Sequence, residues 1–334
     1  MWMSETPGGD AVLNTIGLPA EVAVRVQGPL AVIFDIKMSW RLPAEFDWAK
    51  GKRSDARVDV PITVTVTLRK GSPALEVVTT MQNNARDHYV KVAFPTGLAA
   101  AKKTWAEGSF SVTEFPVTPS VNGELRGNEL ARHPAQLWFD ISDGRNGLGV
   151  LLDAAKDYET LDHDDNMTMA MGLVRGVRLR IPCDNRLWME YPGDESSQSL
   201  RSFSFRYALM PHEGLWPEAR LYDAALAFNT PMRACQFGKQ DGCFEVDKSF
   251  LSIDGANVVL SAVTKPQDRE TLLVRFFNPT GKEVKTTLRA GFDVKAAYLV
   301  SLADERGEKL KVTKNSVSVA VPKGKIMTVE FETE

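Results

Sequence analysis

Apolar and polar residues alternate with a spacing of two along much of this chain, and this pattern constrains the fold most tightly. Residues 62–68 alternate isoleucine, valine and leucine with threonine, and residues 202–209 and 316–321 show the same spacing. This alternation predicts strands with one buried face, as in antiparallel sheets. Turns rich in Gly, Pro, Asn and Asp separate the runs, which favours packed sheets over a parallel α/β fold.

One helix is predicted, over residues 217–228. Leu215, Ala219 and Leu226 recur at helical spacing, and Pro217 stands where the first turn of a helix tolerates proline. An irregular connection follows at 233–248. The predicted organisation is therefore a large β-sandwich over 1–232, that connection, and a small β-sandwich over 249–334.

The composition restricts the classes of partner. With 43% hydrophobic and 25% charged residues the chain is ordinary for a globular protein, and its net charge of −3 gives nucleic acid no electrostatic support. No apolar run approaches the roughly 20 residues of a membrane span. The N-terminus lacks the basic and apolar pattern of a signal peptide, which favours a cytoplasmic location. The chain has no CxxC or HExxH spacing, so we expect no metal or other cofactor within it.

The run LWFDISDGRNGLGVLL at 137–152 predicts a β-hairpin. Its Asp-Gly and Asn-Gly pairs supply the positive φ that a tight turn needs, and its flanks are apolar. The glycines lie between strands rather than before a helix, so they do not form a phosphate-binding loop.

Four segments, in this order, resemble the C-terminal region of the α-mannosidases of glycoside hydrolase family 38. They cover most of residues 75–232 and read NNARDHYVKVAFP (83–95), DISDGRNGLGVL (140–151), FRYALMPHEG (205–214) and AFNTP (227–231). The resemblance implies a mainly β fold: a large antiparallel supersandwich like that of galactose mutarotase, followed by a small C-terminal β-sandwich. It also implies that the large sandwich is incomplete at its N-terminal end.

The resemblance further implies a non-catalytic role. In that family the aspartate nucleophile, the aspartate acid/base and the zinc ion belong to a catalytic domain that comes earlier in the chain. The expected partners are therefore a family-38 catalytic domain or polypeptide, a mannose-containing carbohydrate and, for oligomer contacts, further copies of the chain. The chain alone is expected to be inactive, to help form the mannoside-binding wall, and to bind neither nucleic acid nor membrane.

Five residues are candidates for contact with substrate. Arg175 ends an apolar strand and could point into a cleft, although a surface ion pair with an acid is an equal alternative. Asp140, Asp143 and Arg145 belong to the hairpin run, where turn chemistry is the more common use of aspartate. Trp188 stands in an apparent loop and could stack on a sugar ring, although core packing is the commoner use of tryptophan.

Two other functions remain open from the sequence. The chain could be a free-standing carbohydrate-binding module. It could also be an aldose epimerase-like enzyme, which needs a general acid and a general base facing one sugar. The four histidines could serve in that role, yet their positions show no recognisable pair.

Overall fold

The computed structural model is built almost entirely from antiparallel β-sheets. It describes residues 3–5, 12–117, 132–163, 166–182, 188–190, 195–239, 241–242, 244–245, 247–255 and 257–333. A large sandwich is followed by a small one, which confirms the predicted fold class.

The large sandwich contains the strands that precede the helices. Numbered along the chain, they are β1 (Met3–Glu5), β2 (Glu21–Gln27), β3 (Ala31–Pro43), β4 (Phe46–Asp47), β5 (Lys52–Arg53), β6 (Arg57–Arg69), β7 (Leu75–Gln82), β8 (Tyr89–Pro95), β9 (Lys103–Gly108), β10 (Ser111–Pro116), β11 (Arg132–Ala135), β12 (Trp138–Ser142), β13 (Asn146–Leu152), β14 (Lys156–His163), β15 (Asn166–Arg175), β16 (Arg178–Pro182), β17 (Trp188–Glu190) and β18 (Ser202–Glu213).

Two sheets face each other in this sandwich. The nine-stranded sheet has the order β10-β9-β12-β13-β18-β7-β6-β3-β2, and the four-stranded sheet has the order β11-β14-β15-β8. Apart from them, β16 lies between β1 and β17, and β4 pairs with β5.

The main core lies between these two sheets. Phe139 and Ile141 of β12 point inward with Met169 and Met171 of β15, and all four side chains are fully buried. The Phe139 ring stacks on Tyr158 of β14 with 4.4 Å between centroids. Each such side chain contributes about 1.5–3 kcal/mol through burial.

Two helices, rather than the single predicted one, cover the opposite face of the nine-stranded sheet. They are α1 (Trp216–Ala219) and α2 (Leu221–Asn229). Arg220 separates them with a left-handed φ of 55°, which interrupts the helical hydrogen-bond ladder. Trp216 and Leu221 are buried against Trp138 of β12 and its neighbours.

The small sandwich follows described residues that form neither helix nor strand. Its strands are β19 (Leu251–Asp254), β20 (Val259–Thr264), β21 (Thr271–Phe277), β22 (Val284–Ala290), β23 (Val294–Val300), β24 (Arg306–Leu310), β25 (Ser316–Val321) and β26 (Ile326–Thr333). They form the sheets β19-β22-β25 and β20-β21-β26-β23-β24. Phe277 packs against Tyr222 of α2 and against Phe110, with 5.8 and 5.3 Å between ring centroids, so this sandwich contacts the helix-covered face.

Candidate functional site

The outer face of the four-stranded sheet carries a group of polar side chains. Alternation along β8 and β15 sends Val90 and Met171 inward, and therefore sends their neighbours outward. The register of the four strands then brings outward-facing residues side by side. We call six of them the outer polar cluster: Tyr89, Lys91, Arg132, Asp157, Glu159 and Arg175.

A short hydrogen bond joins two members of this cluster. The Tyr89 hydroxyl donates to Asp157 Oδ2 at 2.5 Å. Burial, together with this bond, raises the pKa of Tyr89, so the phenol remains protonated and keeps its role as donor. Gly172 makes the space for the pair, because a Cβ there would lie 2.3 Å from Asp157 Oδ1 and 2.4 Å from the Tyr89 oxygen.

The buried carboxylate of Glu159 lies close to two cations of the cluster, Lys91 and Arg132. Its side chain is 2% exposed, whereas Lys91 and Arg132 remain 26% and 31% exposed. Lys91 forms an ion pair with Glu159 Oε1, and Arg132 Nε lies 3.6 Å from Oε2. Burial, followed by the charge of Arg132, lowers the pKa of Lys91 to about 8. The negative charge of Asp157 acts in the opposite direction and favours the ammonium form.

The Tyr89 ring is the apolar surface of the cluster. The Lys91 ammonium and the Arg132 guanidinium lie 4.7 and 4.9 Å from its centroid. Both distances are within the range of cation–π attraction.

Arg175 is the exposed member of the cluster. It ends β15 directly opposite Tyr89 in the strand register, and its side chain is exposed. As expected for a cation on the neighbouring strand, its charge acts on Tyr89 in the direction of a lower pKa. Of the four candidate residues whose side chains the structure describes, Arg175 is the one that the fold brings to this face.

A buried clamp that the sequence did not indicate holds the backbone after Arg175. The Gln198 amide accepts from the Asp87 N–H at 2.7 Å and donates to Asp87 Oδ1 at 2.9 Å and to the Val177 carbonyl at 3.1 Å. The Gly176 N–H donates to the His88 carbonyl at 2.8 Å. Asp87 has a φ of 54°, a conformation that aspartate tolerates better than most residues. In the sequence, the signal for this clamp is Asp87 itself, which stands in the ARDH segment.

The hairpin candidates lie on the nine-stranded sheet, apart from the outer polar cluster. Asp143 forms the turn, where its Oδ1 accepts from the N–H groups of Arg145 and Asn146 at 2.8 Å. These two bonds lower the pKa of Asp143. Asp143 and Arg145 are both exposed, and Asp143 has the local turn chemistry that the sequence favoured.

The grouping of Asp140 with this exposed turn is wrong. Asp140 lies inside β12 and is fully buried on the face covered by α1 and α2. Its Oδ1 lies 2.8 Å from Nε2 of His212, whose side chain is 4% exposed. Oδ2 has no hydrogen-bond partner among the described residues. A carboxylate enclosed in this way cannot reach a substrate in this fold.

Two glycines of the hairpin leave space for the side chains that pack around Asp140. A Cβ on Gly147 would lie 2.3 Å from the His212 ring, and one on Gly149 would lie 2.3 Å from Leu221 of α2. The glycine pattern of the motif therefore serves close packing.

The prediction that Trp188 lies in a loop is wrong. Trp188–Glu190 is the strand β17 and pairs with β16. The side chain of Trp188 lies outside the described residues, so its sugar-stacking role stays a prediction.

Two of the histidines considered for an epimerase site are engaged in structural contacts. His133 stacks on Phe115 with 3.8 Å between centroids, and His212 contacts Asp140. Within the described ranges, no three His, Cys, Asp or Glu side chains are grouped as a metal site requires. In that same part of the chain, no helix is long and apolar enough to span a bilayer.

Comparison with protein families identifies the chain. The model described as "Glycosyl hydrolases family 38 C-terminal domain" matches residues 18–178, which include the whole outer polar cluster. The model described as "Glycosyl hydrolases family 38 C-terminal beta sandwich domain" matches residues 257–329, within the small sandwich. The chain belongs to the C-terminal region of glycosyl hydrolase family 38.

The curated relatives that this chain matches are much longer than the chain itself. A putative mannosylglycerate hydrolase of Halalkalibacterium halodurans is 25% identical over 283 residues, which is 85% of this chain and 30% of the relative. The mouse protein alpha-mannosidase 2C1 is 22% identical over 244 residues, which is 72% of this chain and 21% of the relative. The chain thus spans between about a fifth and a third of the curated relatives it matches.

A solved structure shows the same fold. An α-mannosidase from Enterococcus faecalis V583 superposes with a TM-score of 0.82 at 22% sequence identity, covering 98% of this chain and 36% of that protein. This chain therefore has its two sandwiches arranged as in that structure.

Proposed function

We propose that this chain is the non-catalytic C-terminal part of an α-mannosidase-like hydrolase, and that the outer polar cluster forms part of its mannoside-binding wall. The observation that carries the proposal is the position of Arg175. It is exposed opposite Tyr89 and is the exposed member of a cluster that lies within the family-matched segment.

The cluster offers the groups that a sugar needs. A hydroxyl group both donates and accepts, so a sugar site combines cationic donors with carboxylate acceptors. Lys91, Arg132 and Arg175 supply donors and Asp157 supplies an acceptor, while the buried Glu159 holds Lys91 and Arg132 in place. The Tyr89 ring adds an aromatic surface next to them.

A catalytic partner would supply the chemistry of bond cleavage. In the proposal the chain packs against a family-38 catalytic domain, which would contribute the nucleophile, the acid/base and the zinc ion. The described residues of this chain do not group as a zinc site. Their proposed part is to bind and orient the sugar and to support the fold, and the cytoplasmic location belongs to the same proposal.

A domain exchange tests this function. In the E. faecalis α-mannosidase, the region that superposes on this chain would be replaced by this chain. We expect the chimera to hydrolyse an aryl α-mannoside, and we expect neither the isolated chain nor the truncated enzyme to do so. A folded chimera without turnover would contradict the proposal, as would turnover by the repurified chain alone.

A free-standing carbohydrate-binding module is the second candidate. Arg175 is exposed and Tyr89 is half-buried in the chain as it stands, so a sugar could reach them without a partner domain. NMR titration with methyl α-mannoside decides this: saturable shifts at Tyr89 that disappear in Arg175→Ala would favour the module.

A further inference from the structure

The strand β2 exposes an apolar row at one end of the nine-stranded sheet. All seven of its residues are exposed, and the valines that share one face are Val22 at 63% and Val24 at 54%. In the described part of the chain, β2 is the last strand of its sheet and pairs only with β3. Its outer edge therefore presents unpaired backbone N–H and C=O groups, which template pairing with another strand.

This row continues into an apolar surface. Val22 and Val24 lie opposite Ile36 and Phe34 of β3, which lie opposite Val64 and Val66 of β6. Phe34 is 38% exposed, and Leu68, further along β6, is 52% exposed. A contiguous exposed apolar surface of this kind marks an interaction site.

The sequence of β2 is complementary to itself. Residues 21–25 read Glu-Val-Ala-Val-Arg, so an antiparallel two-fold axis at Ala23 would place Glu21 opposite Arg25 of a second copy, twice. It would also place Val22 opposite Val24, twice. Glu21 and Ala23 share the face opposite the valines. Arg25 shares it too, because its Nε lies 3.6 Å from Asp35 Oδ2, and Asp35 is the register partner of Ala23.

We propose that two copies of this chain pair through β2 in antiparallel fashion about Ala23, which joins their nine-stranded sheets into one. A second copy is the favoured occupant because the charges match only in this self-paired register. Two-fold interfaces use the same patch on both subunits, and this strand meets that condition. The bulge at Arg25 lies at the end of the paired stretch and leaves Glu21–Val24 in regular register.

Charge reversal tests the register in the full chain. Glu21→Arg and Arg25→Glu each place like charges opposite each other twice, and we expect each to weaken dimerisation on the order of tenfold or more in sedimentation equilibrium. The double variant E21R/R25E restores both pairs, and we expect it to restore the dimer. A parent chain that remains monomeric over the whole concentration series would overturn the proposal, as would a double variant as weak as the singles.

A disulfide scan tests the same axis independently. Ala23→Cys would face its own copy, and mild oxidation should yield a covalent dimer. Val24→Cys is the matched control, because its two copies would lie farther apart than the roughly 7 Å of Cα separation that a disulfide tolerates. The parent chain measures background cross-linking through the exposed Cys235. Equal cross-linking of both variants would contradict pairing about Ala23 and would indicate non-specific association of the apolar surface.

These experiments do not depend on the proposed mannosidase role. If the chimera is active and the isolated chain is monomeric, the apolar surface serves a catalytic partner, and self-pairing is refuted. If the chain pairs through β2 and the chimera is inactive, the interface stands without that role.

Discussion

Glu159 and Asp140 are both fully buried carboxylates on outward faces of the large sandwich, but their surroundings differ. Glu159 meets Lys91 and Arg132, which both remain partly exposed, and solvent therefore reaches its partners. Asp140 meets His212 beneath the helices, and the two side chains are 0% and 4% exposed. The first carboxylate can share its cations with an arriving ligand, whereas the second can only stabilise the fold.

Removing the enclosed carboxylate should have the largest effect on stability. Asp140→Ala leaves His212 buried without its counter-charge, and breaking a buried pair costs about 3–5 kcal/mol. We expect this loss in the free energy of unfolding by chemical denaturation. Asp143→Ala is the matched control on the same hairpin, and it should cost clearly less because that carboxylate is exposed. Equal losses would show that the burial of Asp140 is not the cause.

Removing Glu159, whose cationic partners are partly exposed, should cost less. Glu159→Ala leaves cations that can turn to water, so we expect a loss of about 1.5–3 kcal/mol, the range of a hydrogen bond to a charged group. Glu159→Gln keeps an acceptor for Lys91 and should lose less than the alanine variant. A loss as large as that of Asp140→Ala would remove the distinction between the two faces.

The stability that the Asp140–His212 pair contributes should also depend on pH. Burial alone would lower the pKa of His212, but the hydrogen bond and charge of Asp140 outweigh it and raise this pKa above 6.5. The stability gained from protonated His212 is therefore full below pH 6.5 and is lost as the pH rises through the raised pKa. The difference in unfolding free energy between the parent and His212→Gln should shrink with rising pH over that interval. A difference that grows would contradict this direction.

Arg175→Ala should have the smallest effect on stability. The side chain is exposed at the end of β15, and surface substitutions usually stay within about 0.5 kcal/mol. A thermal melt should therefore superpose on that of the parent. A large loss of thermal stability would show that Arg175 supports the fold, and it would contradict a role for Arg175 in sugar binding alone.

The strands were predictable because alternation is a local property. The hairpin of residues 137–152 followed from its turn residues and apolar flanks. The burial of Asp140 was not predictable, because α1 and α2, which cover it, come more than 70 residues later in the chain. The break at Arg220 was missed for a related reason, because the apolar spacing continues across it.

The candidate site was only partly predictable. Arg175 was found from its place at the end of an apolar strand, but its neighbours Tyr89 and Glu159 come from strands distant in sequence. Strand register brings them together, and a single strand does not reveal its register. The Asp87–Gln198 clamp has the same origin, because its two residues are 111 positions apart.

Steady-state kinetics of Arg175→Ala in the active chimera test the central claim most directly, because this change should leave the fold intact. One lost charge-assisted contact is worth about 1.5–3 kcal/mol, so we expect kcat/KM for an aryl α-mannoside to fall by roughly 10- to 150-fold. Arg289→Ala, an exposed arginine on the small sandwich, is the matched control and should retain the parental value. An Arg175→Ala chimera as active as the parent would contradict the account.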